Sequence, residues 1–268
     1  MSRIEEALTK AARQQAQLQP ASGYAPETPM PQHILVDPDK YTNDKLVVIK
    51  SPESVEAEEF RKLKEALLNF IHVRGSFDNV FLITSPNQGE GKSLVAVNLA
   101  ITLAQEYDHT VLLMDADLRK PTCHRYLELS PEIGLTECLQ DGKDIGQALI
   151  KTGIGKLMLL PAGKALRNPL ELFTSQAMNR LIQELKNRYR NRIILIDTPP
   201  VLMFAETRTL ANLVDNALLV VREGTTSLDD VNETLSYLSN KVVGLVYNAT
   251  HSTGKSQHYY YYYAQQEQ

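Results

Sequence analysis

Val80-Phe-Leu-Ile-Thr-Ser-Pro-Asn-Gln-Gly-Glu-Gly-Lys-Ser93 is the stretch on which the fold turns. An apolar run, Val80–Thr84, enters a loop that closes on Gly89-Glu90-Gly91-Lys92-Ser93, and an apolar helical pattern begins at Leu94. A nucleotide phosphate needs this order. The glycines let backbone N–H groups turn inward around the β-phosphate, and the helix N-terminus adds partial positive charge. Gly89, Glu90, Gly91, Lys92, Ser93 and Leu94 are therefore the candidate cofactor-binding residues. Lys92 can reach the β- and γ-oxygens, and the Ser93 hydroxyl can ligate Mg²⁺. The usual phosphate-loop pattern starts with a glycine where this chain has Pro86, so strand, loop and helix in the right order carry the assignment. Gly254-Lys255-Ser256 repeats the last three letters with no glycine-rich loop before it and no helical pattern after it.

Outward from this loop, short apolar runs alternate with helical patterns. The runs are Val80–Thr84, Val111–Met114, Leu157–Leu160, Arg192–Ile196, Ala217–Val221 and Val242–Tyr247. They are rich in Val, Ile and Leu and nearly continuous, as strands buried on both faces are. Before them, Glu53–His72 reads as a helix with Phe60, Leu63, Leu67, Phe70 and Ile71 on one face. The expected fold is α/β: a P-loop NTPase with a mainly parallel sheet flanked by helices on both faces. Right-handed crossovers then open the strand C-terminal ends along one edge.

Two of those ends are acidic. Val111–Met114 runs into Asp115-Ala116-Asp117-Leu118-Arg119, and Ile193–Ile196 runs into Asp197-Thr198-Pro199-Pro200. Carboxylates at this edge can hold Mg²⁺ and its waters beside the phosphates, and one can accept a proton from an attacking hydroxyl. Aspartates are also common in turns after strands. Three of them downstream of a phosphate loop favour a site.

The 268 residues divide into three parts: an N-terminal helix and Pro-rich linker over 1–44, a nucleotide-binding domain over 45–250, and a polar tail over 251–268. The tail carries five consecutive tyrosines, Tyr259, Tyr260, Tyr261, Tyr262 and Tyr263. Packing gives a solvated tail no use for five rings. As phosphoacceptors, each would add about −1.5 to −2 charges. On the Glu53–His72 helix, Glu58, Arg61 and Lys64 form a slanting charged stripe, a pattern that usually marks a solvated face. A net charge of −4 gives no sign of a nucleic-acid surface. Cys123 and Cys138 fit no metal-ligand spacing and suggest a reducing compartment. With no signal peptide and no apolar run of membrane-spanning length, the expected location is cytoplasmic.

The strand followed by Asp-x-Asp-x-Arg, and the later Asp197-Thr198-Pro199-Pro200, resemble the second Walker motif and the Walker B segment of the bacterial protein-tyrosine kinases. That family serves capsule and exopolysaccharide synthesis. The resemblance covers roughly Lys45 to the C-terminus. The opening Ser-Arg-Ile-Glu-Glu-Ala-Leu-Thr-Lys-Ala is similar to members associated with exosortase gene clusters. The resemblance implies an ATP- and Mg²⁺-dependent autokinase. Lys92 would stabilise the transferring phosphoryl group, Ser93, Asp115 and Asp197 would form the metal site, and Arg119 would join the catalytic set. Asp115 or Asp117 would take the tyrosine proton, with Asp115 preferred. It implies tails phosphorylated between subunits, and ring-like self-association through a Glu-x-x-Arg-x-x-Arg stripe whose last position here is Lys64. Lys cannot make the bidentate fork of Arg. It also implies a transmembrane chain-length-determinant partner that activates the kinase and recruits it to the inner face of the membrane. In related P-loop folds, an Asn at the position of Asn248 contacts adenine; as a turn residue it would also be unremarkable. The alternatives are an ATPase like the fold relatives ParA and MinD, and a nucleotide-gated adaptor without catalysis. The signature lysine of the former is Asn87 in this chain.

Overall fold

The structure is a computed structural model that describes residues 40–74, 78–106, 108–188 and 192–250. The expected N-terminal helix, most of the linker and the tyrosine tail lie outside the described residues.

Seven strands form one sheet: β1 (Val80–Thr84), β2 (Thr110–Asp115), β3 (Ile150–Lys151), β4 (Leu157–Leu160), β5 (Arg192–Asp197), β6 (Asn216–Arg222) and β7 (Val242–Asn248). Their order is β3-β4-β2-β5-β1-β6-β7. Every pairing is parallel except β3 with β4. The sheet is thus the expected mainly parallel one. Its antiparallel edge, β3, is two residues long and leaves no alternation to read in sequence.

Strand side chains alternate between two cores. Phe81 and Ile83 of β1, Val111 and Leu113 of β2, and Ile193 and Leu195 of β5 point to one side. Val80 and Leu82, Leu112 and Met114, and Ile194 and Ile196 point to the other. The first core is covered by α1 (Val47–Lys50), α2 (Val55–Arg74) and α3 (Lys92–Ala104). α3 is buried along nearly its whole length, as its all-round apolar sequence requires. Phe70 of α2 meets Phe81 edge-on, with ring centroids 6.3 Å apart. Three short helices follow β2: α4 (Cys123–Tyr126), α5 (Leu135–Gln140) and α6 (Ile145–Ala148). The second core is covered by α7 (Leu170–Phe173), α8 (Gln176–Arg188), α9 (Ala205–Ala211) and α10 (Leu228–Leu238), with Met178, Ile182 and Leu185 of α8 among its buried members.

Packing begins before Lys45. Tyr41 is buried, and its hydroxyl donates to the Thr152 carbonyl at 2.9 Å. Asn98 on α3 donates to the Lys45 carbonyl at 3.0 Å and ties this entry segment down. At the other end, β7 departs from the expectation of a strand buried on both faces. It is the sheet edge, and Leu245 and Tyr247 are exposed.

The connection from β1 through α3 to β2 passes over the position that β5 later fills, while β6 and β7 add on the opposite side of β1. The chain therefore reverses direction around β1, and ligands of such sheets bind at that switch point, outside the strand C-terminal ends.

Candidate active site

The loop after β1 is held open by backbone geometry. Gly89 and Gly91 have φ of 85° and 91°, the left-handed region that side chains rarely adopt. A Cβ on Gly91 would lie 2.1 Å from Asn248 Nδ2. Asn248, at the end of β7, donates to the Glu90 carbonyl at 2.8 Å. Arg222, ending β6, donates to the Gly89 carbonyl at 3.0 Å. The Glu90 carboxylate is buried and faces away from the loop mouth; it accepts from the Asn87 amide at 2.7 Å and from the Thr226 hydroxyl. Asn87, at the signature-lysine position, donates to Asp230 on α10 at 3.0 Å. The loop is thus pinned from three elements, and together with the α3 N-terminus it lines a cavity of about 660 Å³.

Gly89, Gly91, Lys92, Ser93, Leu94 and Asp117 line that cavity. Lys92 Nζ lies 3.3 Å from the Asp117 carboxylate. Burial works against the Lys92 ammonium, but Asp197 and Asp117 outweigh it and hold its pKa above the ordinary value. Asp115 and Asp197 are register partners at the ends of β2 and β5, so the sheet sets two buried carboxylates side by side. Asp115 is caged by backbone: Oδ2 accepts from Thr122 and Cys123 at 3.0 Å each, and Oδ1 from Asp117 at 3.2 Å. Burial, then the charge of Asp197, pushes Asp115 up to about 8 despite those donors. Burial also raises Asp197, to about 6, although Lys92 and the Ser93 hydroxyl pull the other way. Asp197 Oδ1 is buried with no hydrogen-bond partner. An orphaned carboxylate oxygen beside Ser93 and a second carboxylate is the donor set that a hard cation takes, so the residues fit Mg²⁺.

The structure thus brings together Lys92, Ser93, Asp115, Asp117 and Asp197. Arg119 also lines the cavity, but it is anchored by Glu206 and the Arg167 carbonyl and lies 4.6 Å over the Phe204 ring. Asn248 binds the loop, and the cavity-lining set does not include it. Asp115, the preferred proton acceptor in the sequence reading, and Asp117 differ in their access to the cavity. Asp117 lines the cavity, its Oδ1 accepting from the Lys120 N–H at 3.0 Å and its Oδ2 3.3 Å from Lys92 Nζ, while Asp115 lies behind it with Oδ2 accepting two backbone N–H groups and Oδ1 one. On α2, Arg61 is tied to Glu58 and the Pro52 carbonyl, and Lys64 to Glu106, all within the chain. Sequence reasoning missed Cys123. Its Sγ donates to Asp197 Oδ2 at 3.5 Å. Its place in the turn after Asp115 is visible in sequence, but no spacing rule links it to an aspartate 74 residues away.

This geometry defines a P-loop nucleotide-binding site. A family model described as an AAA domain matches residues 72–243. Tyrosine-protein kinase YwqD of Bacillus subtilis (strain 168) is 34% identical over 206 residues, 76% of this chain and 85% of that one. Among solved structures, the chimerical protein CapA2B2 aligns with a TM-score of 0.70 at 30% identity, covering 79% of this chain and 92% of that one. The kinase domain of Escherichia coli tyrosine kinase ETK aligns with a TM-score of 0.70 at 26% identity, covering 78% and 82%. The chain belongs to the bacterial tyrosine-protein kinase family. It spans 31% of the length of one longer relative and 27% of two others. Among the described residues, no helix is long and apolar enough to cross a membrane.

Proposed function

We propose that this chain is an ATP- and Mg²⁺-dependent protein-tyrosine autokinase whose acceptors are Tyr259 to Tyr263. The observation that carries the reading is Lys92 paired with Asp117 at the cavity wall, in front of two strand-end carboxylates. ATP would supply the γ-phosphoryl group, and the metal would neutralise its charge. The loop N–H groups and Lys92 hold the phosphates, and Lys92 leaves Asp117 to do so. Asp197, with Ser93, holds the metal side of the site, and Asp115 completes it from behind. Asp117, freed of Lys92 and facing the cavity, takes the phenolic proton. Transfer of this kind depends on positioning and charge stabilisation.

The wider role is regulation of exopolysaccharide or capsule polymerisation or export, in the manner of the exosortase-associated members. The partner is a transmembrane chain-length protein that recruits this chain to the inner face of the membrane. Self-association runs through Glu58, Arg61 and Lys64. The likeness to named tyrosine kinases and the charged stripe on α2 support this. A phosphotyrosine blot of purified protein, with and without ATP, tests the activity. ATP-dependent signal is expected on the tail. Phosphate release without phosphotyrosine would instead identify a ParA/MinD-like ATPase, and neither signal, even with the partner's cytoplasmic segment added, would identify an adaptor.

A further inference from the structure

Cys123 lies among the site's carboxylates without a part in the reaction described above. Asp115, Cys123 and Asp197 are all fully buried, and each offers a ligand atom within 4.8 Å of the others. We propose that these three residues bind a thiophilic divalent cation, Zn²⁺ or Cd²⁺, in a thiolate–dicarboxylate site that shares its carboxylates with the Mg²⁺ site.

Three observations carry this. The first is spacing. A tetrahedral ion at about 2.0–2.3 Å from sulfur and oxygen donors sets those donors roughly 3.5 Å apart. Cys123 Sγ and Asp197 Oδ2 are 3.5 Å apart already. The second is vacant capacity. Asp197 Oδ1 is buried and has no hydrogen-bond partner. A carboxylate has about four acceptor positions, and at Asp115 three are taken by N–H groups, so one remains. The third is orientation. The N–H groups of Thr122 and Cys123 both close on Asp115 Oδ2, which fixes the Cys123 backbone against the carboxylate it would share an ion with. On coordination, the thiol proton leaves to solvent and sulfur forms the bond to the ion.

Ligand chemistry separates the two cations. Mg²⁺ takes oxygen in an octahedral shell and keeps its waters, so Cys123 adds nothing to its binding. Zn²⁺ and Cd²⁺ gain a sulfur ligand. A bound thiophilic ion occupies Asp115 and Asp197 and excludes Mg²⁺. The ion binding stands whatever reaction the site performs; the inhibition that follows from it rests on the kinase reading.

The test titrates full-length, nucleotide-free protein with Cd²⁺ and follows thiolate-to-cadmium charge-transfer absorbance. Wild type and Cys138→Ser should show the band saturating with a single ion. Cys123→Ser should lose it and bind Cd²⁺ at least about tenfold more weakly, the loss typical when a metal site's supporting groups are removed. Mg²⁺ affinity should be unchanged. A measurement on wild type guards against a misfolded variant: Cd²⁺ should slow alkylation of Cys123, located by peptide mapping, without slowing that of Cys138. A band that survives in Cys123→Ser, or Cys123 alkylation indifferent to Cd²⁺, would overturn the proposal. Mg²⁺ should compete with Cd²⁺ for the wild-type site, and a Cd²⁺ band indifferent to excess Mg²⁺ would overturn the shared-carboxylate claim, whichever activity proves correct.

Discussion

Lys92 and the three aspartates around it form one electrostatic unit, and its members should fail in different ways. Lys92→Met keeps the length of the side chain and removes its charge. Phosphotyrosine should fall by at least about 10²-fold, the loss typical when a preorganised charge stabiliser is removed, with the circular-dichroism spectrum unchanged. Asp117→Asn should lower transfer by a similar factor at every Mg²⁺ concentration, because it removes the proton acceptor. Asp115→Asn should instead raise the Mg²⁺ requirement, so that excess metal restores part of the rate. If added Mg²⁺ rescued Asp117→Asn and not Asp115→Asn, the two roles would be reversed. Asp115 also makes stability depend on pH. Its folded pKa is raised to about 8, so between the ordinary carboxylate range and that value the folded state binds the extra proton. Stability of the nucleotide-free protein from this source is present at low pH and lost as pH rises through the window. Asp115→Asn should flatten the decline in urea-unfolding stability between about pH 5 and about 8. An unchanged slope would mean that the buried carboxylate is not its cause.

At the scale of elements, the phosphate loop depends on β6, β7 and α10 as much as on its own glycines. Gly91 opens α3 at φ 91°, and Asn248 fills the space a side chain would need. Gly91→Ala should therefore displace Asn248 from the Glu90 carbonyl. It should destabilise the fold by about 1–2 kcal/mol from backbone strain and weaken nucleotide binding. Thermal unfolding and ATP titration read the two effects separately, and wild-type values in both would mean that the loop does not need its left-handed turn. The same scale explains why the departure from the usual glycine pattern is tolerated. Pro86 sits where the chain leaves β1, and its carbonyl accepts from Leu202 at 3.3 Å, so the proline is absorbed into the packing between β1 and the turn after β5. The stripe on α2 is a different case. Arg61 and Lys64 already hold partners within the chain, so contact with a second copy must exchange those pairs for new ones.

For the whole molecule, the proposed reaction joins two chains. β7 ends at Asn248, which touches the phosphate loop, so the last strand leaves the sheet beside the site. Mixing an inactive Lys92→Met chain carrying the tail with an active chain lacking Tyr259 to Tyr263 should put phosphotyrosine on the inactive chain. Its absence, while the two chains demonstrably associate, would rule out transfer between subunits. Phosphates on adjacent tyrosines repel one another and should shift the protein from oligomer to monomer, and high salt should weaken that shift.

The fold class was legible in the sequence because strands buried on both faces must be apolar throughout and a phosphate loop must sit between strand and helix; these are local requirements. Val80–Thr84 and Leu157–Leu160 stand in the structure with the bounds read from sequence. The same local patterns place Lys92 and Ser93 at the start of α3 and Asp115 and Asp197 at strand ends. What only the tertiary structure decided are relations across the sheet. Pairing β2 with β5 sets Asp115 beside Asp197, and the α4 turn brings Cys123 within reach of both. The turn after β2 puts Asp117 on the cavity wall while Asp115 is caged by backbone N–H groups behind it. The parallel pairing of β6 with β7 brings Asn248 to the loop. No local pattern encodes these, because each depends on which strand lies next to which, and that is settled by packing two cores at once rather than by any one stretch of chain.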